Sequence, residues 1–419
     1  MNPIFHIPDA LRHRSYALYW TALIISISGS QMQFAALLWH LRTLSDQPVV
    51  VSGIGLVRFL PILLLAPMGG IIADSFNRRK IVFLTQACMV LVAASLGLLT
   101  WLGVIKVWHI YILSGIQAAA IAFDTPARQS LVPHLVPRKD LTNAFSMQSI
   151  AVNSGSIIGP ALSGLVIGTL GQEYTYWLNA ISFVAVLAAL VIIGPIHHEI
   201  RAGSFSLEDN LKSIREGAHY VFRQPILFSS MLLDFIATFF SSATTLLPFV
   251  AQDILHVGAV AYGWLVAAQA AGGVLVGVVL SQRRQLYRQG TILLGAVVVY
   301  GSATILFGMA KAFAAALAAL MLVGAADAVS TILRNTIRQL QTPDAMRGRM
   351  VSINQIFFMG GPQLGEIEAG LAAQAFGIPF AVISGGVGCI LGAIWVALRW
   401  PQLRGYVNTP AIRAGAPAD

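Results

Sequence analysis

Gly69-Gly-Ile-Ile-Ala-Asp-Ser-Phe-Asn-Arg-Arg-Lys80 closes one long apolar run and opens the next. Three consecutive cations, Arg78, Arg79 and Lys80, end the stretch, with a single acid, Asp74, just ahead of them. A hydrophobic segment that stops at a basic cluster reads as a membrane span reaching the cytoplasmic face, because cations are retained on that side. Gly69 and Gly70 remove side chains one turn above Asp74 and let another helix approach the backbone closely.

Outward from this junction, the whole chain has the composition of a polytopic membrane protein. Hydrophobic residues make up 57% of the 419 residues and charged residues only 10%, against about 25% charged in a soluble domain. Mean hydropathy is +0.75. At roughly 20 residues per span plus short loops, the length accommodates about a dozen helices. The net charge of +9 is not a nucleic-acid footprint, because the cations sit in short loops between apolar runs. Cys88 and Cys389 both lie within apolar runs, so no disulfide framework and no cysteine metal site is expected. No metal, cofactor or nucleotide-binding loop is indicated, and the chain is not read as an enzyme. The first apolar run, Ser15 to Trp39, is too long for the h-region of a cleavable signal peptide, so the N-terminus is expected to be retained.

Spans are expected near residues 15–40, 49–73, 80–104, 108–127, 143–169, 174–196, 225–251, 260–281, 290–309, 312–334, 349–373 and 376–400. With the N-terminus inside, the loops alternate in charge. Of the 26 Lys and Arg residues, only Arg42, Lys106 and Lys311 fall on the outer side and only Arg58 falls within a span. That bias supports twelve spans with both termini cytoplasmic. The expected organisation is an N-terminal six-helix bundle over 1–196, a cytoplasmic linker over 197–224, a C-terminal six-helix bundle over 225–401 and a disordered cytoplasmic tail over 402–419. In the linker, Ser206-x-x-Asp209 resembles a capping box, and Leu207, Leu211, Ile214, Ala218 and Val221 follow at helical spacing. This predicts an amphipathic helix on the inner membrane surface.

The two halves repeat. Arg128-Gln129-Ser-Leu-Val-Pro133 is echoed by Arg338-Gln339-Leu-Gln-Thr-Pro343. Ser146, Ile150, Gly155, Gly159, Gly164 and Leu165 match Ser352, Ile356, Gly361, Gly365, Gly370 and Leu371 at one constant offset. Duplicated halves with a binding site between them suit a transporter that rocks one bundle against the other. With these repeats, the spacing Gly70-x-x-Ala73-Asp74-x-x-x-Arg78-Arg79 resembles the loop motif between spans 2 and 3 of the major facilitator superfamily. Asn77 stands where that family usually has glycine, and Ser75 where it often has arginine. The resemblance covers about residues 14–400 and implies an all-α membrane protein of twelve helices in two pseudo-symmetric bundles.

Gly155-Ser-Ile-Ile-Gly159-Pro160-Ala-Leu-Ser163-Gly164 resembles the superfamily's antiporter motif, with Ser163 as a departure. Glycines spaced by four make a smooth face for close packing, and Pro160 removes a backbone hydrogen bond and bends the helix. In the family this motif marks exporters that exchange substrate for protons. The arginine such exporters usually carry in span 4 is replaced here by Ser114, ahead of Gln117-Ala118. Tyr16-x-x-Tyr19-Trp20, Phe123-Asp124-x-Pro126 and Leu246-Leu247-Pro248 resemble the branch of enterobactin-type siderophore exporters and transmembrane secretion effectors.

Ionisable groups within spans are expensive and therefore default functional candidates. Arg58, Asp234, Asp327, Glu366 and Glu368 qualify. Asp327 lies as far ahead of Arg338 as Gln117 lies ahead of Arg128, so the two are repeat-equivalent cavity candidates, to which Gln31 of span 1 is added. Asp124 and Arg128, four apart, read as a structural pair.

Two gates are expected. At the inner face, Asp74 lies opposite the N-terminal turn of span 11 near Arg347 and Arg349, where a carboxylate gains from the helix macrodipole. At the outer face, Arg58 sits about 13 Å down span 2, and Glu366 and Glu368 about 8–10 Å down the antiparallel span 11, so an Arg58–Glu pair is expected across the seam. The reading is a monomeric secondary transporter of a bacterial-type inner membrane. It exports a small amphiphilic, drug-like or siderophore-like molecule by alternating access, with protons as the coupling ion. An importer or uniporter of the same fold, or a membrane ligand sensor or scaffold, are the alternatives.

Overall fold

The computed structural model describes residues 8–195, 207–282, 287–343 and 346–407. The chain forms α1 (Arg14–Leu44), α2 (Pro48–Ser75), α3 (Arg78–Trp101), α4 (Val107–Leu131), α5 (Leu141–Thr169), α6 (Gln172–Ile193), α7 (Leu207–Arg223) and α8 (Pro225–Phe240). It continues with α9 (Ala259–Ser281), α10 (Gln289–Met309), α11 (Phe313–Gln341), α12 (Arg347–Phe376) and α13 (Ile378–Arg399). Among the described residues, 11 helical segments are long and apolar enough to cross a membrane. The 30-residue α12, packed along α2 and α8, completes the set of spans. The sequence punctuates these elements with recognisable signals. Pro48 and Pro225 sit in first turns, where a missing N–H costs nothing. Asn77 caps α3 by accepting from the Lys80 amide at 3.2 Å. The glycine expected at that position is therefore replaced by a residue with a use of its own.

The helices form two bundles with the same internal packing. In the first, α1 packs on α5 and α6, α2 on α4, and α3 on α4 and α6. In the second, α8 packs on α12 and α13, α9 on α11, and α10 on α11 and α13. Two seams, α2 against α12 and α5 against α9, join the bundles. The repeated glycine runs explain both levels of contact. Gly155 and Gly159 of α5 abut Ile27, Ser28 and Gln31 of α1, as Gly361 and Gly365 of α12 abut Phe235, Thr238 and Phe239 of α8. Further along, Gly164 abuts Ala259 and Gly263 of α9, and Gly370 abuts Ser52 of α2. Each run thus begins against its own bundle and ends against the other.

Two features differ from expectation. The span expected over 225–251 is present as Pro225–Ile254, but it is not one continuous helix. Helix α8 ends at Phe240, and the chain passes through Ser241–Ala243 into a 3-10 turn, Thr244–Leu246, and a π turn, Val250–Ile254. The run Ser241-Ser-Ala-Thr-Thr245 falls at the break; Ser and Thr are weak helix formers, and the Thr245 hydroxyl meets Ser52 across the seam. Residues 402–407, the described part of the expected disordered tail, are structured. Pro401–Arg404 is a short helix, the Gly290 amide donates to the Tyr406 carbonyl at 3.1 Å, and Thr291 donates to the Arg404 carbonyl at 3.1 Å. In addition, the linker helix α7 contacts the second bundle: Glu216 pairs with Arg349 of α12 at 2.9 Å, and Gly217 abuts the Arg349 backbone. Ser206, the expected cap of α7, lies outside the described residues.

Candidate functional site

The bundles are sealed together at the end remote from the chain termini. One apolar cluster there draws Leu38, Leu41, Val51 and Ile54 from the first bundle and Leu246, Phe249, Tyr262 and Leu265 from the second. Three polar ties cross the same level. Tyr262 donates to the Ala35 carbonyl at 2.9 Å, the Ser52 and Thr245 hydroxyls are 3.0 Å apart, and Arg42 meets Asp253 at 2.9 Å. Toward the terminal end the buried clusters divide. One holds Tyr16, Tyr19, Leu131 and Val132 of the first bundle, and another Leu233, Val297, Ile337 and Val396 of the second.

Between these levels the two bundles present different chemistry. The first carries a ladder of uncharged amides: Gln33 of α1 donates to Gln117 of α4 at 2.9 Å and accepts from Asn179 of α6 at 2.7 Å, and Ser182 donates to Asn179 at 2.8 Å. Gln31 donates to Ser156 of α5 at 3.1 Å. Gln117, expected at the cavity, is thus engaged within its own bundle. Below it, Asp124 and Arg128 form the expected pair, and Thr85 and Gln86 of α3 also donate to Asp124, at 2.8 and 3.0 Å. An unpaired carboxylate here would be costly, and these donors satisfy it.

The second bundle carries charge. Asp234 of α8 is 2.9 Å from Arg334 and 3.7 Å from Arg338, both on α11, and Asp327 stands 3.7 Å from Arg334. Arg334 is 1% exposed, among the largest fully buried side chains. Arg334 ends the expected span 312–334 and Arg338 lies beyond it, but α11 continues to Gln341 and carries both into the bundle. The repeat makes the shift intelligible. Arg334 occupies the position in α11 that Asp124 occupies in α4, so the second half has a cation where the first has an anion, and the balancing acid comes from α8 instead.

A cavity of about 220 Å³ opens beside this cluster, walled by α8 to α12. Asp234, Asp327, Arg334 and Glu366 line it, as do the residues of the α8 break. Non-helical backbone at membrane depth is tolerated where it borders such a cavity. Glu366 is 6% exposed, and its Oε2 has no hydrogen-bond partner. The expected Arg58–Glu366 ion pair is not formed. The Arg58 guanidinium lies over the Phe34 ring, 4.2 Å from its centroid. Glu366 instead turns toward Gly55, where an added Cβ would come within 2.6 Å of Oε2. The depth argument brought the right segments together; the missing side chain at Gly55 makes the space Glu366 enters, and the aromatic face draws the arginine away. The two charges remain in electrostatic reach. Glu368 is half-buried and does not line the cavity.

At the inner loop motif, Arg79 donates twice to the Leu190 carbonyl, at 3.0 and 2.8 Å, and Arg78 donates to the Ser130 carbonyl at 3.2 Å. These cations hold the terminal ends of α6 and α4. The Gly70 and Asp74 side-chain positions, and with them the inner clamp, lie outside the described set. Pro160 and Gly164 face α9 across the seam. Among the described residues no cluster of His, Cys, Asp and Glu has the form of a metal site. Gln33, Asn179 and Arg334 were not singled out from sequence.

Paired six-helix bundles, seams between α2 and α12 and between α5 and α9, and a charged cavity at mid-depth define a membrane transporter of the major facilitator type. Residues 8–409 match the family described as Transmembrane secretion effector, and the chain belongs to that family. Among curated relatives, it is 26% identical over 361 residues to the Uncharacterized MFS-type transporter YfiS of Bacillus subtilis (strain 168), covering 83% of each chain. It is 26% identical over 351 residues to the Enterobactin exporter EntS of Citrobacter koseri, covering 84% of this chain and 83% of the relative. Among solved structures, a bacterial homologue of the iron transporter ferroportin in an inward-facing state superposes with a TM-score of 0.70 at 16% identity, covering 92% of this chain and 98% of that one. A bacterial homologue of the lysosomal transporter Spinster, inward-facing and occupied, gives 0.71 at 16% identity, covering 95% and 99%. These two likenesses concern the fold.

Proposed function

We propose that the protein is a proton-coupled exporter of a small amphiphilic organic molecule across a bacterial-type inner membrane, working by alternating access as a monomer with both termini in the cytoplasm. The carrying observation is the one-sided closure of the bundles. They are joined by apolar packing and three polar ties at the end remote from the termini, while among the described residues their buried clusters toward the terminal end stay separate. With the basic loops cytoplasmic, this arrangement is the inward-open state. Opening the remote end then requires that the α2–α12 and α5–α9 seams part where glycines make them smooth, and that the apolar cluster and the three polar ties at that end release.

Export rather than import is supported by the name of the enterobactin exporter relatives and by the antiporter-like run Gly155, Gly159, Pro160 and Gly164 at a seam. Coupling is assigned first to Glu366. Its buried Oε2 has no hydrogen-bond partner, an unpaired buried charge is costly, and Glu366 borders the α2–α12 seam that must open, so its surroundings change between the two states. Asp327 and then Asp234 follow, the latter already committed to Arg334 and Arg338. Arg58 and Glu366 form a gate only if the arginine leaves Phe34 during the cycle. Asp74 is proposed as the inner counterpart, closing against the start of α12.

The test is flux in proteoliposomes with an imposed pH gradient, using a catecholate siderophore and a lipophilic amine as cargo. Uphill movement that a protonophore abolishes supports the reading. Ligand binding without flux would instead favour a sensor.

A further inference from the structure

Four aromatic rings meet in a row across the terminal end of the second bundle, where α7, α8 and α13 converge. Between ring centroids, Phe222 of α7 lies 5.1 Å from Phe228 of α8, Phe228 lies 5.6 Å from Trp400, and Trp400 lies 5.4 Å from Trp395 of α13. The two inner members of the row are half-buried. Its two outer members are open, Phe222 at 59% and Trp395 at 51% exposure, and Leu398, one turn after Trp395, is 72% exposed. Tryptophans at the end of a span sit at the level of the lipid headgroups, with the ring against acyl chains and the polar edge toward water.

Cations flank this row without matching acids. The Arg399 guanidinium stands over the Trp400 ring, 5.5 Å from its centroid. Arg223 follows Phe222 at the end of α7, and Arg404 ends the short helix packed on α8. All three are exposed, and among the described residues none of them forms an ion pair. The last acid of α7, Glu216, is committed to Arg349 at 2.9 Å. Arg404 is presented from a fixed backbone: its carbonyl accepts from Thr291 at 3.1 Å, and the Tyr406 hydroxyl accepts from Gln341 at 3.2 Å. The start of α8 has the same sign. Pro225 has no N–H and Gln224 supplies no side-chain cap, so the amides of Ile226 and Leu227 are left without one. Such an end carries roughly half a positive charge. In the first bundle, by contrast, Arg12 faces Asp9, His13 faces Asp140, and Arg78 and Arg79 donate to backbone carbonyls.

We infer that this end of the second bundle binds the headgroup of an anionic phospholipid, its phosphate drawn to Arg223 and Arg399 in front of the start of α8 and its acyl chains lying along Trp395 and Leu398. Guanidinium forks match phosphate oxygens, and basic clusters at the end of a span attract anionic lipid. The ring under Arg399 holds that cation at the membrane surface rather than in bulk water. A soluble phosphate ester would use the same guanidiniums but would leave Phe222, Trp395 and Leu398 bare, which is why the occupant is a lipid. The site involves neither seam, and its occupancy is measured without transport.

The experiment is native mass spectrometry of the purified full-length protein in detergent, titrated with dioleoyl phosphatidylglycerol or with dioleoyl phosphatidylcholine, which has the same chains and no net charge. The dissociation constant of the first lipid adduct is read for each. Phosphatidylglycerol is expected to bind about tenfold tighter than phosphatidylcholine at low ionic strength, with the gap narrowing as salt rises. Arg223→Gln combined with Arg399→Gln should weaken phosphatidylglycerol about tenfold and leave phosphatidylcholine unchanged. The same loss of charge at exposed positions of the first bundle, Arg138→Gln with Lys139→Gln, should leave both lipids unchanged. The comparison of the two lipids is made on the wild-type protein and holds even if a variant folds poorly. Equal affinity for the two lipids, or phosphatidylglycerol binding that survives Arg223→Gln with Arg399→Gln in folded protein, overturns the inference. So does equal weakening by the Arg138 and Lys139 substitutions, which would make the preference a response to net charge. Displacement of phosphatidylglycerol by inorganic phosphate at equal ionic strength also overturns it, since the guanidiniums would then form a site for soluble anions.

Discussion

Asp234 should be among the most stability-critical side chains of the second bundle. It lies 2.9 Å from Arg334 and 3.7 Å from Arg338, with exposures of only a few per cent. At an effective dielectric of ~20, the gross attraction to Arg334 alone is about 6 kcal/mol, much of it offset by desolvation of the three groups. Asp234→Asn keeps the shape and removes the charge, leaving two buried guanidiniums with only Asp327 nearby. Breaking a buried pair in this way costs about 3–5 kcal/mol. Unfolding by sodium dodecyl sulfate titration in mixed micelles reads that loss directly. The cycle completed with Arg334→Gln should show a coupling of at least about 1.5 kcal/mol, because the double variant no longer buries that lone charge opposite its missing partner. A loss below about 1 kcal/mol for Asp234→Asn, or additivity within ~0.5 kcal/mol, would refute the reasoning.

Other outcomes follow from single contacts. Gly324→Ala places a Cβ 1.7 Å from the Gln269 carbonyl oxygen, so α9 and α11 must separate; the expected loss is at least about 1–3 kcal/mol in the same titration, against no loss for Gly295→Ala, where nothing lies within 4 Å. Gln33→Met removes the bonds to Gln117 and Asn179 and leaves the buried Asn179 amide and the half-buried Gln117 short of a partner, about 1–3 kcal/mol, and thermal unfolding of the purified protein should show it. Arg42→Gln breaks the exposed tie to Asp253, worth about 0–1 kcal/mol and screened by salt; it should raise thiol labelling at the remote end at low salt and less at high salt. Glu366→Gln should uncouple transport from an imposed pH gradient, and a variant that still follows the gradient removes Glu366 as the coupling group.

The legible part of this protein was what the bilayer imposes. Apolar runs, basic loops and the repeated glycines at Gly155 and Gly361 together carry the helix pattern and the pairing of bundles, because lipid leaves few alternatives to helices. Asp124 and Arg128 were legible as a pair because they are four residues apart on one helix. Asp234 and Arg334 were not, since their contact spans a hundred residues and Arg334 sat at a span's expected edge, where a cation is ordinary. The break in α8 falls at Ser241 to Thr245, but hydroxyl residues also occur in unbroken spans. Arg58 and Glu366 were assigned similar depths from helical rise alone, and in the structure each acts electrostatically on the other. Which way each side chain turns depends on Phe34 and Gly55, and no spacing rule reports that.

Alternating access is tested most directly by a distance across the sealed end. Leu102 and Lys311 are exposed loop positions at that end, one in each bundle and away from both seams. Spin labels on Leu102→Cys and Lys311→Cys, with Cys88 and Cys389 replaced by alanine and the protein in nanodiscs, report the separation by double electron–electron resonance. The account predicts two populations, a short distance from the closed end seen here and a longer one, with a ratio that changes between acidic and alkaline pH. A single unchanging distance across that range would contradict it.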